Sequence, residues 1–304
     1  MLCKSGYIPR HFLSFADLAP KELNRIISRA IDFKASALDS NVALRLALRG
    51  KTVAMLFSKR STRTRVSTEG AVSFFGGHPM FLGKEDIQLG TNESLHDTSV
   101  VISSMTSAII ARVNRHSDIK NLAKFSSVPV INALSDLWHP LQALADIMTM
   151  KEHFGDVKGR KLAWIGDANN VLHDLVIACA MSGIHMGVAT PVNYPLNPEI
   201  LKIAQDSAID SGSKIQVSHD PLIAAAAADV LVTDTWHHSF FPLTRLTTRI
   251  SMGQEMEKEK RLKEFAGFQV TLELAEKAGA SKNWKFMHCL PRKQEEVTDE
   301  VSTP

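Results

Sequence analysis

The segment Thr52-Val53-Ala54-Met55-Leu56-Phe57 runs directly into Ser58-Lys59-Arg60-Ser61-Thr62-Arg63-Thr64-Arg65. An apolar run of strand length thus meets a cluster of hydroxyls and cations, and a helical pattern follows over Thr64–Phe75. A strand that turns straight into a helix is the unit of a parallel α/β sheet.

Working outward, the unit repeats. Strands are expected at Ala108–Val113, Val128–Asn132, Lys161–Ile165, His185–Thr190, Lys214–Val217, Asp229–Thr233 and Lys285–His288. Helices are expected between them at Glu93–Met105, Ile119–Phe125, Pro140–His153, Val171–Met181, Pro198–Ser211 and Pro221–Ala227. The reading is an α/β chain of two similar-sized domains, each a parallel sheet flanked by helices, joined by interdomain helices. The long helix at Pro140 and the glycines Gly155 and Gly159 put the division near its end, giving domains 1–147 and 148–304.

Bulk properties narrow the function. The 304 residues are 44% hydrophobic and 22% charged, with a net charge of +3. There is no Lys/Arg block of the kind nucleic acid requires and no apolar run long enough to span a bilayer. Cys3, Cys179 and Cys289 are far apart, which fits neither a disulfide framework nor a metal motif and points to a reducing compartment. Lys4, Arg10 and His11 precede any acid. They read equally as the stub of a mitochondrial transit peptide or as an ordinary N-terminus.

Ligands of open α/β sheets sit at the carboxyl ends of strands. At the end of Thr52–Phe57, the hydroxyls of Ser61, Thr62 and Thr64 gather at a helix N-terminus, where the dipole favours an anion. Arg63 and Arg65 can offer forked bonds to phosphate. An ordinary helix cap would not place cations there. The glycines of a Walker loop are missing. His139 and Gln142, three apart at a helix start, can both address a carbonyl and its NH2 group, although a His before Pro is commonly a cap. Cys289, beside His288 at a strand end, suits a nucleophile, a proton acceptor or a buried structural thiol. Asp167-Ala168-Asn169-Asn170 and Asp234-Thr235-Trp236 set carboxylates and amides at strand ends. These groups suit an amino-acid ligand or cap the helices that follow. A nicotinamide-dinucleotide enzyme is a poor fit, because Trp164-Ile165-Gly166-Asp167-Ala168-Asn169 holds one glycine where that loop needs several.

Taken in order, these motifs resemble the aspartate/ornithine carbamoyltransferase family over about Phe15 to Val301. The carriers are Ser61–Arg65, His139-Pro140-x-Gln142, Ser251-Met252-Gly253-Gln254-Glu255 and His288-Cys289-Leu290-Pro291. The last two are similar to the ornithine branch. The resemblance implies transfer of a carbamoyl group from carbamoyl phosphate to the δ-amine of ornithine, a step of arginine biosynthesis and the urea cycle, without cofactor or metal. It assigns Ser61, Thr62, Arg63, Thr64, Gln88, Arg112, His139, Gln142, Cys289 and Leu290 to carbamoyl phosphate, and Asn170, Asp234, Ser251 and Met252 to ornithine. Cys289, Arg112, His139 and Asp234 would carry the chemistry. It further implies a homotrimer whose active sites are shared through Gln88, and a mitochondrial matrix location with the cytoplasm as the alternative.

The chain departs from the family pattern twice. The Asp-Thr-Trp and Ser-Met-Gly segments, one residue apart in the family, are here separated by thirteen more, His237–Arg249. The family also continues beyond the position of Pro304 with a further arginine for carbamoyl phosphate and a final helix. Two other readings follow: a homologue that binds carbamoyl phosphate without turnover, and a transcarbamoylase for a different amine.

Overall fold

The computed structural model describes residues 9–36, 46–83, 93–236 and 260–302. The chain divides into two units, Met1–Leu144 and Ala145–Pro304.

The first unit opens with α1 (Pro20–Ser36), then β1 (Thr52–Phe57), α2 (Thr62–Phe74), β2 (His78–Gly83), α3 (Leu95–Met105), β3 (Ala108–Arg112), α4 (His116–Phe125) and β4 (Val130–Leu134). Its sheet is parallel throughout in the order β2-β1-β3-β4. α5 (Pro140–Phe154) carries the chain into the second unit. There follow β5 (Lys161–Ile165), α6 (Asn170–Met181), β6 (His185–Ala189), α7 (Pro198–Ser211), β7 (Ile215–Ser218), α8 (Pro221–Ala225), β8 (Val230–Thr233), α9 (Leu272–Ala278), β9 (Lys285–His288) and the short α10 (Asp299–Ser302). This sheet is also parallel, in the order β7-β6-β5-β8-β9. The expectation of two parallel sheets flanked by helices is met.

The core follows from composition. β1 buries Val53 to Phe57 without a break, and β5 buries Leu162 to Ile165. Both strands are covered on two faces, so neither alternates. α6 is buried along its whole length, which explains its uniformly apolar Leu175–Met181 stretch. α7 is set off by Asn197, whose side chain accepts from Glu199 N, by Pro198 in its first turn and by left-handed Gly212 after its end.

Three expectations shift. The strand expected at Val128–Asn132 lies at Val130–Leu134. Pro129 has no N–H to give, and only its carbonyl takes part, accepting from Ile109. β2 had no counterpart in the sequence reading because Pro79 argues against a strand. It is an edge strand, where proline is tolerated. The seven residues of α9 had no counterpart either; Thr271 caps it, its side chain accepting from Leu274 N.

Strand order also fixes where chemistry can sit. In the first sheet the chain leaves β1 toward β2 on one side and returns to β3 on the other. In the second it winds outward from β5 to β6 and β7, then crosses to β8. Each reversal leaves a crevice at the carboxyl ends, between β1 and β3 and between β5 and β8. The loops after these strands begin at Ser58, Val113, Gly166 and Asp234.

Candidate active site

At the first crevice, β1 ends at Phe57 and Ser58 N donates to the Arg112 carbonyl at 2.9 Å, locking the two strand ends together. Ser61 is the extended N-cap of α2. Its Oγ accepts from Thr64 N at 3.3 Å and donates to Thr64 Oγ1 at 2.9 Å. Arg112 reaches from β3, its Nη1 donating to Thr64 Oγ1 at 3.4 Å. A guanidinium, two linked hydroxyls and the N–H groups of a helix start thus meet at one strand crossover. That is the donor set an oxyanion wants. Arg63 is exposed one turn-step away.

Arg65 does not join them. Its Nε donates to Glu69 at 2.9 Å, one helical turn on, and its guanidinium lies 3.7 Å over the Phe81 ring. The sequence reading paired it with Arg63 as a phosphate ligand. The i,i+4 spacing of Arg65 and Glu69 was the signal for the other outcome.

Lys59 takes a place the sequence reading left empty. Burial, then the nearby Arg112 charge, press its ammonium down to about 8, with Asp136 pulling the other way. Its positive charge is therefore present below pH 8 and lost above it. A bound dianion would favour the charged form. Inorganic phosphate is accordingly expected to raise the melting temperature more at pH 7 than at pH 9, with Lys59→Met flattening that difference. Thermal denaturation with and without phosphate checks it.

His139 opens α5, and its carbonyl accepts from Gln142 N at 3.1 Å and Ala143 N at 3.4 Å. The turn before it is tied by Ser135, whose N–H meets the Trp138 carbonyl at 2.9 Å and whose Oγ accepts from Trp138 N at 3.2 Å. His116 meets the same Oγ at 3.1 Å through Nδ1, while its backbone N–H donates to Asp136 at 2.7 Å. His139 and Gln142 therefore stand on a braced turn. Gln88 lies outside the described residues.

At the second crevice a buried carboxylate is held from two sides. Asp234, just past β8, is 3% exposed. Its Oδ2 accepts from Asn169 Nδ2 at 2.7 Å, and its Oδ1 accepts from the Cys289 thiol at 2.8 Å. Asn169, the residue before the Asn170 named from sequence, makes this contact. Its Oδ1 also caps α6, accepting from Val171 N at 3.0 Å and Leu172 N at 3.2 Å. One amide serves both as cap and as carboxylate partner, so the alternatives weighed for it hold together. Asn170 is buried as the first residue of α6. Gly166 makes the turn possible: its φ is +146°, and a Cβ there would come within 2.9 Å of Trp236 Nε1.

Beyond Cys289 the backbone turns through Leu290, half exposed with φ 59°, whose N–H donates to His288 Nδ1 at 2.8 Å. Asp234, His288 and Cys289 bring one ligand-type atom each within 4.8 Å of one another. Sulfur, imidazole and carboxylate would suit a soft divalent ion. The thiol and His288 Nδ1, however, are already engaged within the protein. Cys179, buried in α6, is a different thiol: burial and nearby Asp146 push it well above the usual range, so it is inert. Ser251, Met252 and the whole of His237–Arg249 lie outside the described residues.

Arg261 marks where the described chain resumes. Its Nη1 donates to Asp167 Oδ2 at 3.0 Å and to the Trp236 carbonyl at 2.5 Å, and its guanidinium lies 4.9 Å over the Tyr194 ring. The strand ends of β5 and β8 are thereby fastened to the segment that follows residue 260.

Comparison with known proteins adds the following. Residues 10–152 match the family described as aspartate/ornithine carbamoyltransferase, carbamoyl-P binding domain. Residues 158–303 match its Asp/Orn binding domain. A relative from Pachysolen tannophilus, named mitochondrial ornithine transcarbamylase, is 53% identical over 96% of this chain and 81% of its own length. One from Coccidioides immitis, named mitochondrial ornithine carbamoyltransferase, is 54% identical over 96% of this chain and 85% of its own. The crystal structure of a mitochondrial ornithine carbamoyltransferase from Coccidioides immitis superposes with a TM-score of 0.87, at 52% identity, covering 97% of this chain and 90% of that one. The ornithine carbamoyltransferase from Pyrococcus furiosus also gives 0.87, at 43% identity, covering 97% and 89%.

Proposed function

The chain belongs to the aspartate/ornithine carbamoyltransferase family, and on that premise we propose that it transfers the carbamoyl group of carbamoyl phosphate to the δ-amine of ornithine, giving citrulline and phosphate. The observation that carries the choice of amine is the Asp234 carboxylate, buried yet bonded to both Asn169 and the Cys289 thiol. A carboxylate so held is an acceptor for an ammonium or amine.

The chemistry follows from the groups. Carbamoyl phosphate is assigned to Ser61, Thr62, Arg63 and Thr64, with Arg112, His139 and Gln142 on its carbonyl end. Asn170 and Asp234, together with Ser251 and Met252, are assigned to ornithine. An alkyl ammonium has a reference pKa of about 10.4, so the amine must give up a proton before it attacks. Asp234 orients that amine and accepts the proton it gives up, passing it on to solvent, and Cys289 fixes the carboxylate's direction. Nitrogen then bonds to the carbamoyl carbon, and charge grows on its oxygen. Arg112, Thr64 and His139 stabilise that oxyanion. The carbon–oxygen bond to phosphate breaks, phosphate departs against Arg63 and the helix start, and the second amine proton leaves with it or with solvent. Leu290 lies beside Cys289 at the same turn. Gln88 is assigned to a neighbouring copy's site within a homotrimer, and the location to the mitochondrial matrix, in keeping with fungal relatives named as mitochondrial.

Citrulline production by the purified chain is the test. Turnover with ornithine and none with aspartate, putrescine or acetylated ornithine is the expected result. No citrulline at saturating substrates, or a preference for another amine, would overturn the proposal.

A further inference from the structure

Strand pairing between β8 and β9 ends at Thr233 and His288, so Asp234 and Cys289 lie just past the last rung of the sheet. Their thiol–carboxylate bond needs sub-ångström register, and the ladder no longer supplies it there. What does supply it is a third residue, Glu296, which is fully buried.

Both of its carboxylate oxygens are used. Oε1 accepts from Trp236 N at 3.2 Å, two residues beyond Asp234. Oε2 accepts from Lys293 N at 2.9 Å, four residues beyond Cys289. Oε2 also stands 3.4 Å from His288 Nε2, and both side chains are almost wholly shielded from water. His288 Nδ1 accepts the Leu290 N–H at 2.8 Å. The backbone of Glu296 is itself anchored, its carbonyl accepting from Val270 N at 2.9 Å. A single carboxylate thus touches the Asp234 loop, the Cys289 loop and the histidine adjoining the thiol. On the exposed side, Thr235 Oγ1 also donates to the Pro291 carbonyl at 3.1 Å.

A carboxylate buried without a counter-cation is costly unless every lone pair it shows is answered. Both oxygens are answered here by backbone N–H groups of the two site loops. We infer that Glu296 is a positioning residue for the carbamoyl transfer: it holds the Asp234 and Cys289 loops in register so that the thiol–carboxylate pair can form. The inference rests on the assignment of that pair to ornithine, but its geometry can be tested without turnover.

The test compares wild type with Glu296→Gln, which keeps shape but turns one acceptor into a donor facing a backbone N–H, and with Glu296→Asp, which keeps the charge on a shorter stem. The first readout is alkylation of Cys289 by iodoacetamide, followed on its own peptide by mass spectrometry. Alkylation takes the thiolate, which a carboxylate 2.8 Å away opposes. Loss of register is expected to speed it several-fold in Glu296→Gln and less in Glu296→Asp, while buried Cys179 stays unreacted in all three. The second readout is citrulline formation, where ornithine kcat/KM should fall at least tenfold in Glu296→Gln and partly recover in Glu296→Asp. The third is inorganic phosphate affinity by calorimetry, which reports on the first unit and should stay within twofold. Wild-type alkylation of Cys289 in Glu296→Gln would overturn the inference. So would loss of phosphate binding or exposure of Cys179, since either would make Glu296 a general stabiliser. If wild type forms no citrulline, the proposed activity fails, and the alkylation rates still decide the role of Glu296.

Discussion

Asp234→Asn is expected to reduce citrulline formation by about a thousandfold or more, roughly 4 kcal/mol in the activation barrier. Two effects combine. The carboxylate now accepts from Asn169 on one oxygen and from Cys289 on the other. An asparagine keeps one acceptor and sets an NH2 group against a donor, so one buried partner is orphaned, at a cost of about 1–3 kcal/mol. The carboxylate that would take the ammonium's proton is lost as well. The change should appear in kcat/KM for ornithine, while phosphate affinity in the first unit stays near wild type. Steady-state kinetics beside phosphate titration separates the two. An asparagine variant that turned over ornithine normally would show that another group receives the amine.

Arg112→Ala is expected to act on the other substrate. A charge-assisted bond to a phosphate or developing oxyanion contributes about 1.5–3 kcal/mol, and an oxyanion donor adds about 3–4 kcal/mol in the transition state. The variant should weaken phosphate binding by about a hundredfold and kcat/KM for carbamoyl phosphate by about a thousandfold or more. Part of the binding loss will be masked. Arg112 is one of the forces holding Lys59 near pH 8, and without it Lys59 keeps its charge to higher pH. The double variant Lys59→Met/Arg112→Ala should therefore bind phosphate more weakly than Arg112→Ala alone at pH 8. Isothermal titration at that pH measures both, and equal affinities would remove Lys59 from the anion site.

The fold was legible wherever local chemistry and tertiary demand agreed. β1, β5, β9 and α7 fall on the residues read from sequence, because their apolar runs begin and end at clear breaks. β2 was hidden because Pro79 is a local argument that its place at the sheet edge overrides. At the first crevice the hydroxyls of Ser61 and Thr64 are sequence-local, whereas Arg112, 48 positions from Thr64, is named only through the family resemblance. The second crevice is harder, since its contacts join residues more than fifty positions apart. Asn169 and Asn170 carry the same side chain, and the Asn169–Asp234 bond follows from the turn after Gly166 rather than from anything sequence-local. Glu296 is the extreme case. Within Lys293-Gln294-Glu295-Glu296 it reads as one more surface charge, and only complete burial sets it apart.

The bond from Arg261 to the Trp236 carbonyl fixes what natural variation can do in this part of the chain. It joins the points where the chain leaves the described site and where it returns. Thirteen extra residues between two pinned ends add only about 0.7 kcal/mol of closure entropy. Insertions and deletions within 237–249 should therefore drift almost neutrally across a lineage, while substitutions at Arg261, and at Ser251 and Met252 beyond that stretch, should be purged. Selection would guard the clasp and ignore the length of the strap.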